Sequence, residues 1–365
     1  MLLLIPLLGL AAEPTATNAD LAYAVCVHCH GAHGEGRPEL WTPRIGDLDA
    51  SYVAAQLTAY RDGQRSWPDE ARGASAMAAL ARGLDDEAVA ALSTTVAAME
   101  PELLPPGPPS EAGAAAWAPC VACHGEDARG NEAMQAPSLL YQEPGYLRAQ
   151  LKSYRDGLRG GEGDAPLALS MAAMAQGLDD ATIDALVDHV ASLRPPLPPL
   201  VQPEVTATKE EGLEAFADIY AVSQHPRCMN CHPAGDAPLQ TDASRPHILG
   251  ITRFSPLDGV HCSTCHAARP AGDGLAPLPP ADSLWSMPPV GMAFQDRSPA
   301  ELCEQLKDRS VNGGRGFIGL AEHVEEDHLL LTSWHSGRTT PPISHPELVE
   351  RFQTWGAAGG PCPTR

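Results

Sequence analysis

A five-residue pattern, Cys-x-x-Cys-His, occurs four times in this chain of 365 residues. Its cysteine pairs are Cys26 and Cys29, Cys120 and Cys123, Cys228 and Cys231, and Cys262 and Cys265. Two thiols one helical turn apart can each form a thioether to the same porphyrin, and the adjacent histidine then faces the iron. The predicted proximal ligands are therefore His30, His124, His232 and His266.

A single copy of this pattern would also suit a redox dithiol or half of a zinc site. Four copies use eight of the ten cysteines, and each copy keeps its histidine in the same place. A zinc site has no need of that histidine. The repetition favours four covalently attached haem c groups as cofactors. Aromatic residues make up only 5% of the chain, which is consistent with porphyrins supplying much of the apolar interior.

The first twelve residues, MLLLIPLLGLAA, resemble the apolar region of a secretory signal that ends in small residues. They are too short to span a bilayer, and no later run of about 20 apolar residues follows. We therefore expect an exported, periplasmic protein without a transmembrane segment. In such an oxidising compartment the two remaining cysteines, Cys303 and Cys362, could form a disulfide or stay as separate buried thiols.

The formal net charge is −22 and the sequence pI is about 4.9. Nucleic acids and anionic lipid surfaces are poor partners for such a chain. The charge favours redox proteins with a basic docking surface, and a dehydrogenase or a terminal oxidase is a candidate partner.

A duplication follows the first twelve residues, because one offset of 94 residues relates two segments from end to end. The offset takes Cys26 to Cys120 and the sequence Tyr-Arg-Asp-Gly at 60–63 to the same four residues at 154–157. Apolar residues at steps of three and four predict helices in both copies, with closing helices that begin at Asp85 and Asp179. No stretch alternates for long enough to predict a sheet.

This order of features resembles a class I cytochrome c, and two in tandem resemble the periplasmic dihaem cytochromes of the c-four type. The resemblance covers residues of roughly 20–195. It implies that Met77 and Met171 are distal iron ligands, with Met174 as an alternative in the second copy. It also implies that the carbonyls of Pro43 and Pro137 accept a hydrogen bond from the proximal imidazoles. Both methionines could instead only fill gaps in a core.

We expect a mostly α-helical chain with two tandem class I cytochrome c domains and a C-terminal, loop-rich dihaem domain. Pro-rich stretches mark the linkers. The predicted segments are 1–12 (signal-like), 20–100 (domain 1), 101–110 (linker), 111–194 (domain 2), 195–204 (linker) and 205–365 (dihaem module).

The third region does not follow the repeat, since its two pentapeptides begin only 34 residues apart, at 228 and 262. We favour His247 and His323 as distal ligands there, although each could equally be an ordinary hydrogen-bonded histidine. The alternatives are His225, His261, His328, His335, His345, Met287 and Met292. The segment 308–319 is predicted to be a turn.

The sequence thus predicts a periplasmic tetrahaem cytochrome that relays electrons. The resemblance implies His/Met ligation and a higher potential in the tandem domains than in the bis-His module. Two other interpretations stay open. One is a haem enzyme with an open C-terminal iron, of a peroxidase or reductase kind, and the other is the electron-accepting subunit of a dehydrogenase complex.

Overall fold

The computed structural model of the chain is mostly helical, so the predicted fold class is confirmed. It describes residues 23, 25–65, 72–101, 103–161, 166–199, 206–266, 286–334 and 339–364. The signal-like segment 1–12 and His335 lie outside the described residues, as do the side chain of His328 and part of the second Pro-rich stretch.

The first copy of the repeat packs helices around the first pentapeptide. Its helices are α1 (Val27–His30), α2 (Ala50–Arg61), α3 (Arg72–Ala81) and α4 (Asp86–Ala97). The side chain of Asp85 accepts a hydrogen bond from the Ala88 N–H and so begins α4 where the sequence predicts. Helices α2 and α4 pack together and bury an apolar core that includes Val53 and Leu92.

The second copy repeats this arrangement. Its helices are α5 (Glu111–Trp117), α6 (Val121–His124), α7 (Pro144–Arg155), α8 (Pro166–Ala175) and α9 (Asp180–Ser192). Asp179 caps α9 as Asp85 caps α4. The core of this copy includes Trp117, Leu147 and Leu186.

The Pro-rich stretch between the copies lies against the second one. Gly107 donates its N–H to the Ala191 carbonyl at 2.9 Å, on the last turn of α9. The Arg194 guanidinium donates to the carbonyls of Leu140 and Gln142, both at 2.9 Å, and to that of Pro105 at 3.3 Å. These contacts tie the stretch to the domain that follows it.

The C-terminal region forms a third core. Its helices are α10 (Lys209–Ser223), α11 (Pro226–Met229), α12 (Cys262–Cys265), α13 (Pro299–Lys307), α14 (Phe317–Glu326), α15 (His328–Leu331) and α16 (His345–Ala357). Capping boxes that begin at Thr208, Ser298 and Ser344 start α10, α13 and α16. Helix α16 packs against α10 and α14 and buries Trp355 completely.

Three features of this region differ from the prediction or add to it. The turn predicted for 308–319 is wrong at its end, because α14 already begins at Phe317. A short antiparallel hairpin, β1 (Leu239–Gln240) with β2 (Arg245–Pro246), pairs Leu239 with Pro246. A disulfide between Cys303 and Cys362 joins α13 to the tail that follows α16.

Candidate haem sites

The first pentapeptide forms a single helical turn, α1, which Cys26 directly precedes and which contains Cys29. Cys26 and Cys29 are partly buried and free of a disulfide. The His30 side chain is buried, and its Nδ1 lies 2.9 Å from the carbonyl oxygen of Pro43. With Nδ1–H donating to that carbonyl, Nε2 keeps its lone pair for a metal. Burial lowers the pKa of His30, which keeps the imidazole neutral, as a ligand must be.

The second pentapeptide has the same geometry. Its proximal candidate, His124, is buried, and its Nδ1 lies 3.1 Å from the carbonyl oxygen of Pro137. Burial again lowers the pKa of the imidazole. The structure therefore brings each predicted proline carbonyl to its predicted histidine.

A pair of glycines makes this approach possible. Gly36 and Gly130 have φ values of +79° and +83°, which residues other than glycine rarely adopt. A Cβ on Gly36 would lie 2.7 Å from the carbonyl carbon of Pro43, and a Cβ on Gly130 would lie 2.6 Å from that of Pro137. These glycines were not predicted from the sequence, although the 94-residue offset relates them.

In the third pentapeptide, the carbonyl that bonds the proximal imidazole comes from a segment distant in the sequence. The Nδ1 of His232 lies 2.6 Å from the carbonyl oxygen of Met292, which is 60 residues away instead of 13. The ring of Phe294 stacks on the imidazole with centroids 3.8 Å apart. Burial lowers the pKa of His232 to about 4, so this imidazole is neutral at physiological pH. Met292, an alternative sulfur ligand, thus contributes a backbone carbonyl on the proximal side.

His323 lies in the same neighbourhood as His232, close enough for the charge on one to lower the pKa of the other. Its Nδ1 is 3.6 Å from Oδ2 of Asp327, one helical turn further along. A carboxylate on Nδ1 again leaves Nε2 for a metal. Burial lowers the pKa of His323, with Arg315 acting in the same direction.

The fourth pentapeptide lies beside His247. The ring centroids of His247 and His266 are 6.1 Å apart, and the ring planes are inclined by 63°. Two metal–imidazole bonds of about 2 Å each, with about 1 Å from each nitrogen to its ring centre, give a separation of about 6 Å. The His247 Nδ1 lies 2.6 Å from the carbonyl oxygen of Ile248, which leaves its Nε2 for a metal.

The remaining histidine candidates have other contacts. His225 begins α11, where its Nδ1 accepts a hydrogen bond from the Arg227 N–H. The Nε2 of His345 lies 2.7 Å from the carbonyl oxygen of Val324. The ring of His261 lies against that of His28, with centroids 4.5 Å apart and planes inclined by 34°.

The two methionines predicted as distal ligands lie in equivalent helices. Met77 is in α3 and Met171 is in α8, and both side chains are partly buried. Met171 packs against the cluster that contains Tyr154, whereas the side chain of Met174 is 49% exposed. The structure therefore separates these two neighbours, and Met171 has the more enclosed environment.

Two buried arginines lie between the tandem domains. Arg65 donates to Gln56 of its own copy at 2.7 Å and to Gln150 of the other at 3.5 Å. Arg159 repeats this exchange, since it donates to Gln150 and, at 3.1 Å, to Gln56. None of these four residues was predicted from the sequence, although the offset of 94 relates Arg65 to Arg159 and Gln56 to Gln150.

Each of these arginines keeps one buried donor without a hydrogen-bond partner among the described residues. Both side chains are 6% exposed, and the donor in each is Nε. Neither guanidinium forms an ion pair with a described carboxylate. Buried cations of this kind fit the carboxylates of a haem, so Arg65 and Arg159 are candidate holders of that end of the cofactor.

These features define a class of protein: a chain with two duplicated helical domains, each with a haem-attachment turn, a backbone carbonyl on the proximal imidazole and a methionine in an equivalent helix. The family model for cytochrome c matches residues 17–96 and 110–194, and the chain belongs to this family. The predicted pair of tandem cytochrome c domains is confirmed.

Known relatives are electron-transfer cytochromes. A thiosulfate dehydrogenase electron acceptor of Thiomonas intermedia (strain K12) is 33% identical over 195 residues, which are 50% of this chain and 84% of the relative. Cytochrome c4 of Azotobacter vinelandii is 27% identical over 51% of this chain and 95% of its own length. A solved structure, reduced cytochrome c4 from Pseudomonas stutzeri, covers 49% of this chain and all of its own, with 22% identity and a TM-score of 0.41. Within the described residues, no helix combines the length and apolarity needed to cross a membrane.

Proposed function

We propose that the chain is a periplasmic cytochrome with four haem c groups, one on each pentapeptide, that passes electrons between redox proteins. The observation that carries the proposal is the repeated state of the proximal imidazoles. Three of them, His30, His124 and His232, are neutral and bonded through Nδ1 to a backbone carbonyl, next to two free thiols. Such a group can bind iron through the lone pair of Nε2 while the adjacent thiols hold the porphyrin.

The bound haem would supply a one-electron couple, Fe(III)/Fe(II). The chain would hold each haem through its two cysteines and a proximal histidine. Met77 and Met171 are the proposed distal ligands in the tandem domains, and His323 and His247 those of the third and fourth sites. Because a methionine ligand raises the potential relative to a second histidine, electrons would run from the C-terminal module to the tandem domains.

A dehydrogenase is the proposed electron donor. Relatives that carry the name thiosulfate dehydrogenase electron acceptor support this choice of partner class. The net charge of −22 favours a partner with a basic docking surface. The proposed division into two cytochrome c domains (20–100 and 111–194), two Pro-rich linkers and a dihaem module (205–365) gives the donor and the acceptor separate places to bind.

An equilibrium redox titration of the exported protein, with its haem content measured by intact mass, tests the proposal. We expect four covalent haem additions, all of them redox-active, with the C-terminal pair at lower potential. A chain with fewer haems would contradict the cofactor assignment. A C-terminal pair at the higher potential would reverse the proposed direction.

The methionine ligands have a matched control in the second domain. Met171→Leu should abolish half of the methionine–iron charge-transfer absorbance and lower the potential of one haem, because the iron loses its thioether ligand. Met174→Leu should change neither, since position 80 of the first copy is already leucine. Equal effects of the two substitutions would overturn the choice of Met171.

A further inference from the structure

The C-terminal module contacts the tandem domains at the first pentapeptide. His28, between Cys26 and Cys29, lies with its ring centroid 4.5 Å from that of His261, and the ring planes are inclined by 34°. His261 directly precedes Cys262. The first and fourth haem-attachment segments are therefore in direct side-chain contact, although 232 residues separate Cys29 from His261 along the chain.

Buried polar contacts hold this junction together. The Arg37 guanidinium donates through Nη1 to the carbonyl of Met287 at 2.7 Å, and through Nη2 to the hydroxyl of Ser286. Oε1 of Glu39 lies 3.7 Å from Nη1 of Arg253, and the two side chains are only 9% and 3% exposed. Separating the two surfaces would break the Glu39–Arg253 pair in a buried setting, where a lost partner is costly, although Arg253 would keep Asp236 of its own module at 2.8 Å.

The junction is also closely packed. The cavity at its centre has a volume of about 20 Å³ and is lined by residues of both partners, among them His28, Leu40, Cys262 and Met287. A cavity of this size holds about one water molecule. His28 of the first attachment segment and Cys262 of the fourth thus border the same small pocket.

The two copies of the repeat differ at the residues that make these contacts. The offset of 94 residues places Ala122, Asn131 and Ala133 where the first copy has His28, Arg37 and Glu39. All three counterparts are exposed. The first copy thus carries side chains for docking the C-terminal module, while the same face of the second copy lacks them and is open.

The third and fourth sites are joined by the hairpin. Asn230, inside the third pentapeptide, accepts a hydrogen bond through its carbonyl from the Leu239 N–H at 2.9 Å. Leu239 pairs with Pro246, and the next residue is His247, beside His266. At the other end, Arg65 and Arg159 hold the first and second domains together.

We propose that the contact between His28 and His261 is the junction through which electrons pass between the C-terminal module and the tandem domains. The order of the sites in space is then third, fourth, first, second, which differs from their order in the sequence. This inference rests on the proposed relay function, and it assigns Arg37 and Glu39 as positioning residues of the junction.

A light-triggered electron injection tests the inference in the full-length protein with its haems. All ten native cysteines belong to pentapeptides or to the disulfide, so Glu322→Cys, at an exposed position of α14 near the third site, offers one thiol for a ruthenium photoreductant. Loss of the methionine–iron charge-transfer band then reports the arrival of the electron in the tandem domains. Small-angle scattering of the same samples reports whether the module is docked.

The test variant is His28→Ala/Arg37→Asn/Glu39→Ala, which gives the first copy the residues of the second. We expect a larger maximum dimension and a fall in the arrival rate by about tenfold or more, the change that about 1.4 kcal/mol of lost docking free energy produces. The reciprocal control, Asn131→Arg/Ala133→Glu, should change neither quantity. The single variant His28→Ala gives the first copy the sequence Cys-Val-Ala-Cys-His, which is the pentapeptide of the second copy. Because that pentapeptide already folds there, this variant guards against misfolding of the triple variant.

An unchanged arrival rate in the triple variant would overturn the proposal that electrons pass through this junction, whether or not the module stays docked. If the unsubstituted protein with four haems shows no arrival at all, then the relay itself fails, which is a distinguishable result. Slower arrival in both the triple variant and the reciprocal control would also contradict the inference, because the effect would then not depend on this contact.

Discussion

The disulfide between Cys303 and Cys362 should stabilise the C-terminal module by about 4 kcal/mol. The bond closes a loop of 59 residues, and the loss of chain entropy in the unfolded state for a loop of that length is worth about 4 kcal/mol at 25 °C. The folded state keeps other contacts at the same place. Trp355 donates its Nε1–H to the Pro361 carbonyl at 3.1 Å, and the Gly360 N–H donates to the Trp355 carbonyl at 2.9 Å.

Hydrogen exchange followed by mass spectrometry measures this stabilisation locally in Cys303→Ala/Cys362→Ala. We expect the free energy of opening in α16 to fall by about 4 kcal/mol, because the cross-link constrains mainly the unfolded chain. Helix α9 in the second domain is the internal control and should exchange as before. A thiol reductant should reproduce the loss in the unsubstituted protein and should have no further effect on the variant.

A fall of less than about 1 kcal/mol in α16 would refute the reasoning, because residual structure in the unfolded chain would then hold the two ends of the loop together without the bond. An equal fall in α9 would show that the domains unfold together, which contradicts three separate cores.

Three further predictions follow from individual contacts. Gln142→Ala should lower the free energy of unfolding of the tandem pair by about 2 to 4 kcal/mol in a urea titration, because the side chain bonds both the N–H and the C=O of Arg44, at 2.8 and 2.9 Å, in a buried interface. Burial raises the pKa of Glu143 above its ordinary value of 4.5, so the folded state holds the proton to higher pH. Stability should therefore fall as the pH rises from 4.5 through the raised value, and Glu143→Gln should flatten that slope; a slope that the substitution leaves intact would contradict this cause. His247→Ala should open one iron to carbon monoxide, detected as a shifted visible spectrum, whereas His345→Ala should not, since His345 already bonds the Val324 carbonyl.

The tandem half of the chain could be predicted because its signals are local and repeated. The offset of 94 residues identified both copies, and the caps Asp85 and Asp179 marked where the closing helices begin. Gly36, Gly130 and the Arg65–Gln150 exchange could have been found with the same offset, since each has a counterpart 94 residues away. Repetition distinguishes a functional residue from a chance one even in a single sequence.

The C-terminal module was predictable only in part. Ser298 and Pro299 marked the start of α13, because capping and proline preferences act within one turn. The hydrogen bond between His232 and the carbonyl of Met292 could not be predicted, because Met292 belongs to a non-repeated segment and lies 60 residues away. The turn assigned to 308–319 failed because its glycines masked the apolar period of the helix that begins at Phe317.

The junction between His28 and His261 had no signal in either segment alone. His28 could be set aside as a ligand because it lies between two attachment cysteines, but no local pattern shows what it contacts. The difference between His28 and Ala122 at the same place in the repeat, with those at Arg37 and Glu39, is what distinguishes the two copies at this face. That difference acquires a meaning once tertiary structure brings the C-terminal module to one copy and not to the other.

The most direct test of the account is a low-temperature electron paramagnetic resonance spectrum of the oxidised protein, integrated against its haem content. With one haem for each of the four pentapeptides, the account predicts four low-spin ferric signals per chain, two of them of His/Met character. A high-spin signal equal to one haem per chain would contradict it, because an iron with an open position is a site for substrate chemistry and not a closed relay.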